Sequence, residues 1–303
     1  MLLRNFPHHI ARIIRQIGVK TTFGGKKYWI RGYASNIFPN NNQHEAHVSL
    51  SLRRALDKRP GTFVDVGANI GQTLIKLLSV DPERRYIGFE PQIRACATIA
   101  QFIDDNRIRT AEVLPIGLSD RNGTITFYSR NAFDDMATTV VPDNPTYPAQ
   151  ESSNIQVRIG AEILEELSCT KLAVIKIDVE GAELTVLSGL LNAIKISLPV
   201  IFFEQLPLFF GHPPQREFLS ESQMKATRNN ADQIQEFLTG LGYEIRQLGK
   251  DGSERVISRF ILDDVNNFIG SDYVAYPKED MLTALKQDLA AMPPITNGVG
   301  PNR

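Results

Sequence analysis

The chain has 303 residues, 42% of them hydrophobic and 22% charged, with a net charge of −1. That is an ordinary globular composition with enough apolar surface for a full core, and its near-neutral balance gives no case for a nucleic-acid partner. Its two cysteines, Cys96 and Cys169, form no Cys-x-x-Cys pair, which argues against a disulfide framework or zinc site and fits a reducing cytoplasm.

Before Glu45 there are seven Lys or Arg residues and no acid. Within that stretch Ile10, Ile13, Ile14 and Ile17 fall on one helical face. The pattern predicts a helix docking on the main domain, with contact between a basic helix and an anionic membrane surface as the alternative. No apolar run approaches the roughly 20 residues of a bilayer span, and no apolar segment with a small-residue cleavage site opens the chain, so a secretory signal is not expected. Residues 26–33 predict a short strand, 36–43 an Asn-rich loop, and 45–56 a helix ended by Pro60-Gly61. His44 and His47 give H-x-x-H rather than the H-E-x-x-H of a zinc peptidase, and a solvated helix face is their expected place.

From there strands and helices alternate. Residues 63–66 predict a strand buried on both faces, 72–78 a helix, 86–89 a strand ending at Glu90-Pro91, and 93–103 a helix. A third strand over 113–118 meets the turn 119–123, and 124–128 reads as a strand returning from it. Residues 130–154 read as a long loop, 163–167 as a helix, 172–177 as the fourth core strand and 182–194 as a helix. A fifth strand, 199–203, ends at Glu204. A loop with Pro207, Gly211, Pro213 and Pro214 follows, then a helix over 232–241 stopped by Gly242, and final strands at 243–248 and 273–276. The tail after Met292 is rich in Pro, Gly and Asn and is expected to be disordered. This alternation predicts an α/β protein with a parallel sheet covered on both faces. In such sheets ligands sit beyond the carboxyl ends of the strands, near the point where strand order reverses. The strand ends here carry Asp65, Glu90, Leu118 to Asp120, Asp178 and Glu204.

The stretch FVDVGANIGQ, residues 63–72, carries the most information. A dinucleotide turn reads G-x-G-x-x-G, but Asn69 holds the place of the middle glycine. Such a turn is less open to a pyrophosphate. Asp65, two residues before the first glycine, favours a cationic or hydroxyl-bearing ligand, as S-adenosylmethionine is. Glu90, nineteen residues after Gly71, ends the next strand, where an acid can accept both hydroxyls of a ribose.

FVDVGANIGQ, YIGFEP, PIGLSDRNGTITF, IKIDVEGAELTVLSG and PVIFFEQ, in that order, resemble the FkbM family of S-adenosylmethionine-dependent methyltransferases. The likeness runs from about Phe63 to about Tyr243, and VDVGANIG and IKIDVEGAE are its specific blocks. It implies a Rossmann-like, seven-stranded methyltransferase sheet with helices on both faces, preceded by an N-terminal extension. On that basis residues 1–60 are the extension, 61–280 the methyltransferase domain, and 281–303 a C-terminal helix and tail. The resemblance also implies O-methylation of a sugar, glycan or other small-molecule hydroxyl. By the same analogy Asp65, Gly67, Asn69 and Gly71, with Ala68 among them, surround the methionine part of the cofactor. Glu90, followed by Pro91, holds the ribose, and Gly117, Leu118, Ser119 and Asp120 flank the adenine. One departure is the segment RIGAEILEEL, 158–167, where similar proteins place a Thr-Leu-Asp-like segment.

Methyl transfer to a hydroxyl needs a base, a positioned one contributing about 10²–10⁴-fold. Candidates are Asp178 at a strand end, Glu180 in the turn after it, Glu204 at the next strand end, and His212 in the Pro-rich loop. Histidine suits a base near neutrality, although a loop histidine without function is the competing reading. Glu183 lies where an acid stabilises a helix start. Asp178 and Glu204 on adjacent strand ends could hold Mg²⁺ with waters. Two other readings of the whole chain are an NAD-dependent oxidoreductase on a similar fold, against which stands the missing middle glycine, and a non-catalytic cofactor-binding module.

Overall fold

The computed structural model describes residues 18–31, 46–129, 151–210, 217–262 and 271–283. The N-terminal amphipathic stretch, His44, Glu45, the loop 130–150, His212 and the C-terminal tail lie outside these residues.

Eight strands form the central sheet. Four of its parallel strands, β3 (Thr62–Val66), β4 (Tyr86–Phe89), β9 (Leu172–Ile177) and β10 (Val200–Glu204), are nearly continuous apolar runs, as expected of strands covered on both faces. The fifth, β5 (Ala111–Leu114), is more mixed and lies at the sheet's edge. The order is β14-β13-β15-β10-β9-β3-β4-β5. β15 (Asp272–Pro277) runs antiparallel between β10 and β13 (Tyr243–Leu248). The chain goes outward from β3 through β4 to β5, then returns to the other side through β9 and β10. The order therefore reverses between β3 and β9, and a ligand crevice is expected above their carboxyl ends.

The expectation of seven strands falls one short. The eighth is β14 (Glu254–Val256), which pairs with the outer side of β13 over three residues. With Arg255 and Glu254 in it, this edge shows no apolar alternation to find in the sequence.

The two faces of the sheet bury different cores. Val64, Ile87, Ile175, Ile201 and their face-mates pack against α4 (Gly160–Glu166), α5 (Glu183–Gly189), α6 (Leu191–Ser197) and α7 (Glu221–Gly240). Phe63, Tyr86, Val174, Val200 and Phe202 pack against α1 (Ala46–Leu56), α2 (Gln72–Val80) and α3 (Ile93–Asp105). Alternate residues of each strand point to opposite faces, so Asp65, Lys176, Asp178, Glu204 and Asp272 share the face covered by α1 to α3.

Several boundaries differ from those read in the sequence. The third strand splits at Pro115, which has no N–H for a ladder, and its second half is β6 (Gly117–Ser119) in another sheet. There β6 pairs with β8 (Glu151–Ile159), and β8 pairs with β7 (Gly123–Ser129). Residues 152–154 of β8 are polar and exposed, and 151–154 read as loop for want of an apolar pattern. A hairpin of β1 (Val19–Phe23) and β2 (Lys26–Ile30) turns on Gly24-Gly25, and its first strand went unread. The helix expected over 182–194 breaks at Leu190 into α5 and α6. The last long helix, α7, begins eleven residues earlier than expected, at a capping box of Ser220 and Gln223.

Helix α5 joins the two sheets. A Cβ on Gly189 would stand 1.9 Å from the carbonyl oxygen of Ser119 in β6. Only a bare helix face lets the small sheet come so close. Gly189→Ala is therefore expected to lower unfolding free energy by about 1–3 kcal/mol through overpacking, read as a lower urea midpoint at unchanged slope.

Candidate active site

The carboxyl ends of β3, β4 and β9 open into a cavity of about 370 Å³, within the roughly 300–1,000 Å³ of small-molecule sites. Its floor is the turn after β3. Gly67 has φ 82°, and a Cβ there would stand 1.8 Å from the Asp178 carbonyl oxygen. The same two chain segments are tied by the Asp178 N–H donating to the Val66 carbonyl at 2.9 Å. The first glycine of the motif is thus required by the neighbouring backbone. Asn69 takes φ 47°, a left-handed conformation that Asn tolerates.

Glu90 organises the second wall. It is 4% exposed, and both its carboxylate oxygens accept backbone N–H groups, from Asn69 at 2.8 Å and Gln92 at 2.7 Å. Burial pushes its carboxyl up to about 7 against the pull of those two amides. An oxygen held by one amide keeps a lone pair for a ligand hydroxyl. Asp65 sits deeper, fully buried, accepting the Tyr86 hydroxyl at 2.7 Å. Burial raises it to about 6, and Lys176 opposes the rise. Its second oxygen has no hydrogen-bond partner among the described residues.

The turn after β9 forms the third wall. Asp178 and Glu180 line the cavity. Asp178 is ion-paired with Lys176 at 2.7 Å. Glu183 is 1% exposed and accepts the Gly181 N–H at 3.1 Å, and burial raises its carboxyl to about 7. It braces the turn, in keeping with its expected place at a helix start. The roof is the small sheet, through Gly117 to Arg121, Ile125, Phe127, Tyr128, Ile155 and Val157. Sequence reasoning found 117–120 and read β7 as a strand, but it placed neither β7 nor β8 at the site. Their apolar residues alternate along the strands, yet nothing local says which sheet they join.

The expected cofactor residues divide as follows. Gly67, Asn69, Glu90, Pro91, Gly117, Leu118, Ser119 and Asp120 line the cavity. Asp65, Ala68 and Gly71 lie behind its surface: Asp65 and Ala68 are buried, and Gly71 precedes α2. Of the expected catalytic groups, Asp178 lines the cavity, Glu204 stands beside it, and His212 is outside the described residues. His47 does not lie on a solvated face: it is 5% exposed, with its Nε2 2.9 Å from the Asp272 carboxylate.

Asp178, Glu180 and Glu204 bring carboxylate oxygens within 4.8 Å of one another. The set does not fit the expected Mg²⁺. Asp178 is already neutralised by the Lys176 ammonium, and a divalent cation would have to sit beside that charge. Burial, with Asp178 and Asp272 close by, also raises Glu204 to about 8, which disfavours the anion that a metal would need.

The parallel sheet with its reversed strand order and an acid-rimmed crevice at the switch point define a Rossmann-like nucleotide-binding enzyme fold. The family model described as Methyltransferase FkbM domain matches residues 65–245, more than half of the chain. The chain belongs to the FkbM family of S-adenosylmethionine-dependent methyltransferases. It is 29% identical over 158 residues to the 2-O-methyltransferase NoeI of Sinorhizobium fredii (strain NBRC 101917 / NGR234), a match over 48% of this chain and 62% of that protein's length. Among solved structures it is similar to the FkbM methyltransferase of Methylobacillus flagellatus, at 19% identity and a TM-score of 0.42, covering 71% of this chain and 43% of that one. It is also similar to an O-methyltransferase described as putative from Klebsiella pneumoniae, at 11% identity and a TM-score of 0.43, covering 92% and 100%. No helix among the described residues is long and apolar enough to cross a membrane.

The raised carboxyls have a consequence for stability. A buried acid lifted from 4.5 to about 7, as in Glu90 and Glu183, binds more protons folded than unfolded across that window. Its contribution is full below the unfolded value and is lost as pH rises through the folded one. Unfolding free energy from urea titrations between about pH 5 and about pH 8 should therefore fall less steeply with pH in Glu90→Gln than in the wild type.

Proposed function

We propose that the cavity binds S-adenosylmethionine and that the protein methylates a hydroxyl of a sugar, glycan or other small metabolite. The observation that carries this reading is the charge of the lining. Four acids, Glu90, Asp120, Asp178 and Glu180, line the cavity with one guanidinium, Arg121, among the described residues, and of the four Asp178 is paired with Lys176. Such a lining repels a pyrophosphate and suits a ligand whose charges are an ammonium and a sulfonium. The similarity to the Sinorhizobium 2-O-methyltransferase supports an oxygen acceptor.

In this reading Glu90 takes the ribose hydroxyls, held in place by the amides of Asn69 and Gln92. The turn 67–71 borders the methionine part, and Gly117 to Asp120 flank the adenine beneath the apolar roof of Phe127 and Val157. When bound, the cofactor supplies a methyl group activated by its sulfonium. Asp178, paired with Lys176, accepts the proton that the acceptor hydroxyl gives up as its oxygen attacks. The site aligns the reacting atoms while the roof keeps bulk water from them.

Calorimetry with S-adenosylmethionine and with NAD is the first check: binding of the former alone is expected, and binding of NAD alone refutes the reading. In a screen of sugars, glycans and metabolites with labelled methyl donor, Asp178→Asn is expected to reduce turnover by about 10²–10⁴-fold. Unchanged turnover in that variant removes Asp178 from the role of base.

A further inference from the structure

The residue after Glu204 is a buried amide with no part in the site described above. Gln205 closes the block PVIFFEQ and is 2% exposed. Its backbone N–H donates to the Ser271 carbonyl at 2.9 Å, one step beyond the Glu204–Asp272 pair, so the ladder between β10 and β15 continues through it. Alternation therefore turns its side chain to the same face as Phe203. Val66, Phe89, Leu118, Val179 and Val186 belong to the core of that face and also line the cavity. Phe203 pairs with Ile177. Carried two residues further, the register brings Gln205 level with Val179, at a strand spacing of about 4.8 Å. Gln205 thus stands beside the cavity wall formed by the turn after β9. Its Nε2 donates to the carbonyl of Leu206 at 3.3 Å. A carbonyl oxygen only accepts, which places the nitrogen of the amide toward Leu206. The Oε1 has no hydrogen-bond partner among the described residues. A buried amide oxygen without a donor costs its desolvation, and buried polar groups are otherwise paired.

We infer that Gln205 holds the methyl acceptor: its Oε1 accepts a hydrogen bond from a second hydroxyl of the molecule whose first hydroxyl is methylated beside Asp178. The acceptor is then a sugar or other polyol, and a simple alcohol is a poor substrate. The inference rests on reading this edge as the methyl-transfer site. Asp178 is level with Glu204, the residue before Gln205, so one molecule lying across the ends of β9 and β10 reaches both side chains. A neutral amide suits this place. It takes the hydrogen of a hydroxyl without adding a further acid to an edge that already holds Asp178, Glu180 and Glu204 within 4.8 Å of one another. Discrimination follows from what a wrong substrate leaves unpaired. A monohydroxy compound can meet Asp178 but leaves the buried Oε1 without a donor, whereas a polyol satisfies both.

The test is turnover of the full chain with labelled S-adenosylmethionine on methyl hexopyranosides, inositols and their monodeoxy derivatives, with cyclohexanol and benzyl alcohol as monohydroxy controls. Wild-type protein is expected to methylate at least one polyol and neither control. One monodeoxy derivative that keeps the reacting hydroxyl should lose about 10-fold or more in kcat/KM. Gln205→Met keeps the length of the side chain and removes the acceptor oxygen. It should show the same loss on the parent polyol and little further loss on that derivative. Its affinity for S-adenosylmethionine, read by calorimetry, should be unchanged, and its urea midpoint should equal or exceed that of the wild type, because an unpaired buried group is removed. A Gln205→Met chain that does not fold, or that has a lowered midpoint with unchanged turnover, gives the amide a structural partner and overturns the inference. Equal kcat/KM for controls and polyols, unchanged polyol turnover in Gln205→Met, or wild-type protein that binds S-adenosylmethionine and methylates no polyol does the same. Wild-type protein that binds no S-adenosylmethionine overturns the methyl-transfer reading itself, whereas binding together with any of those results overturns only the role of Gln205.

Discussion

The site depends on one close contact between two pieces of backbone. The turn after β3 and the end of β9 touch where the Asp178 carbonyl lies against Gly67, and the Asp178 N–H closes the contact on Val66. A side chain at residue 67 would force the two strand ends apart by more than an ångström, because nothing in a backbone carbonyl can give way. The contact brings Asp178 to the edge of the turn that borders the cavity. It also fixes the crevice at the reversal of strand order, where neighbouring strands leave in opposite directions and no connection covers their ends.

Around that contact the protein buries acids in two ways. Glu90 and Glu183 are each held by backbone amides. Amides stabilise a carboxylate without bringing a second charge that a ligand would have to displace, so both acids order the chain, and Glu90, which lines the cavity, keeps lone pairs for a ligand hydroxyl. Asp178 and Asp272 are instead paired with side chains, Lys176 and His47. Burial raises the amide-held acids despite their hydrogen bonds, so desolvation outweighs two neutral donors here.

The small sheet of β6, β8 and β7 adds an apolar roof to an otherwise acidic crevice. Its position follows from Gly189, where α5 presents bare backbone to Ser119. Two glycines far apart in the chain therefore fix two walls of one cavity, Gly67 through a strand end and Gly189 through a helix. An acid-rich rim and an apolar roof offer different places to a cationic group and to a flat, apolar-faced ring.

The sequence by itself determined the central strands. TFVDV, YIGF, LAVIKI and VIFFE are apolar runs of strand length, and their terminal acids mark the ligand edge. The family was legible for the same reason: VDVGANIG and IKIDVEGAE are local signals, each confined to one strand and the turn after it. Glu90 was legible because its distance from the turn is set by one intervening helix. The tertiary structure alone decided the rest. The roof needed β8 to pair with β6 and β7, and the polar start of β8 carries no local mark of a strand. The partnership of His47 with Asp272 joins residues 225 positions apart, so H-x-x-H read as a solvated helix face until α1 was laid against the start of β15. The reason for Gly67 was also out of reach, since the atom that excludes a side chain there belongs to Asp178. Periodicity and turn chemistry report what a segment does with its neighbours in the chain. Contacts between segments depend on which faces the sheet order brings together.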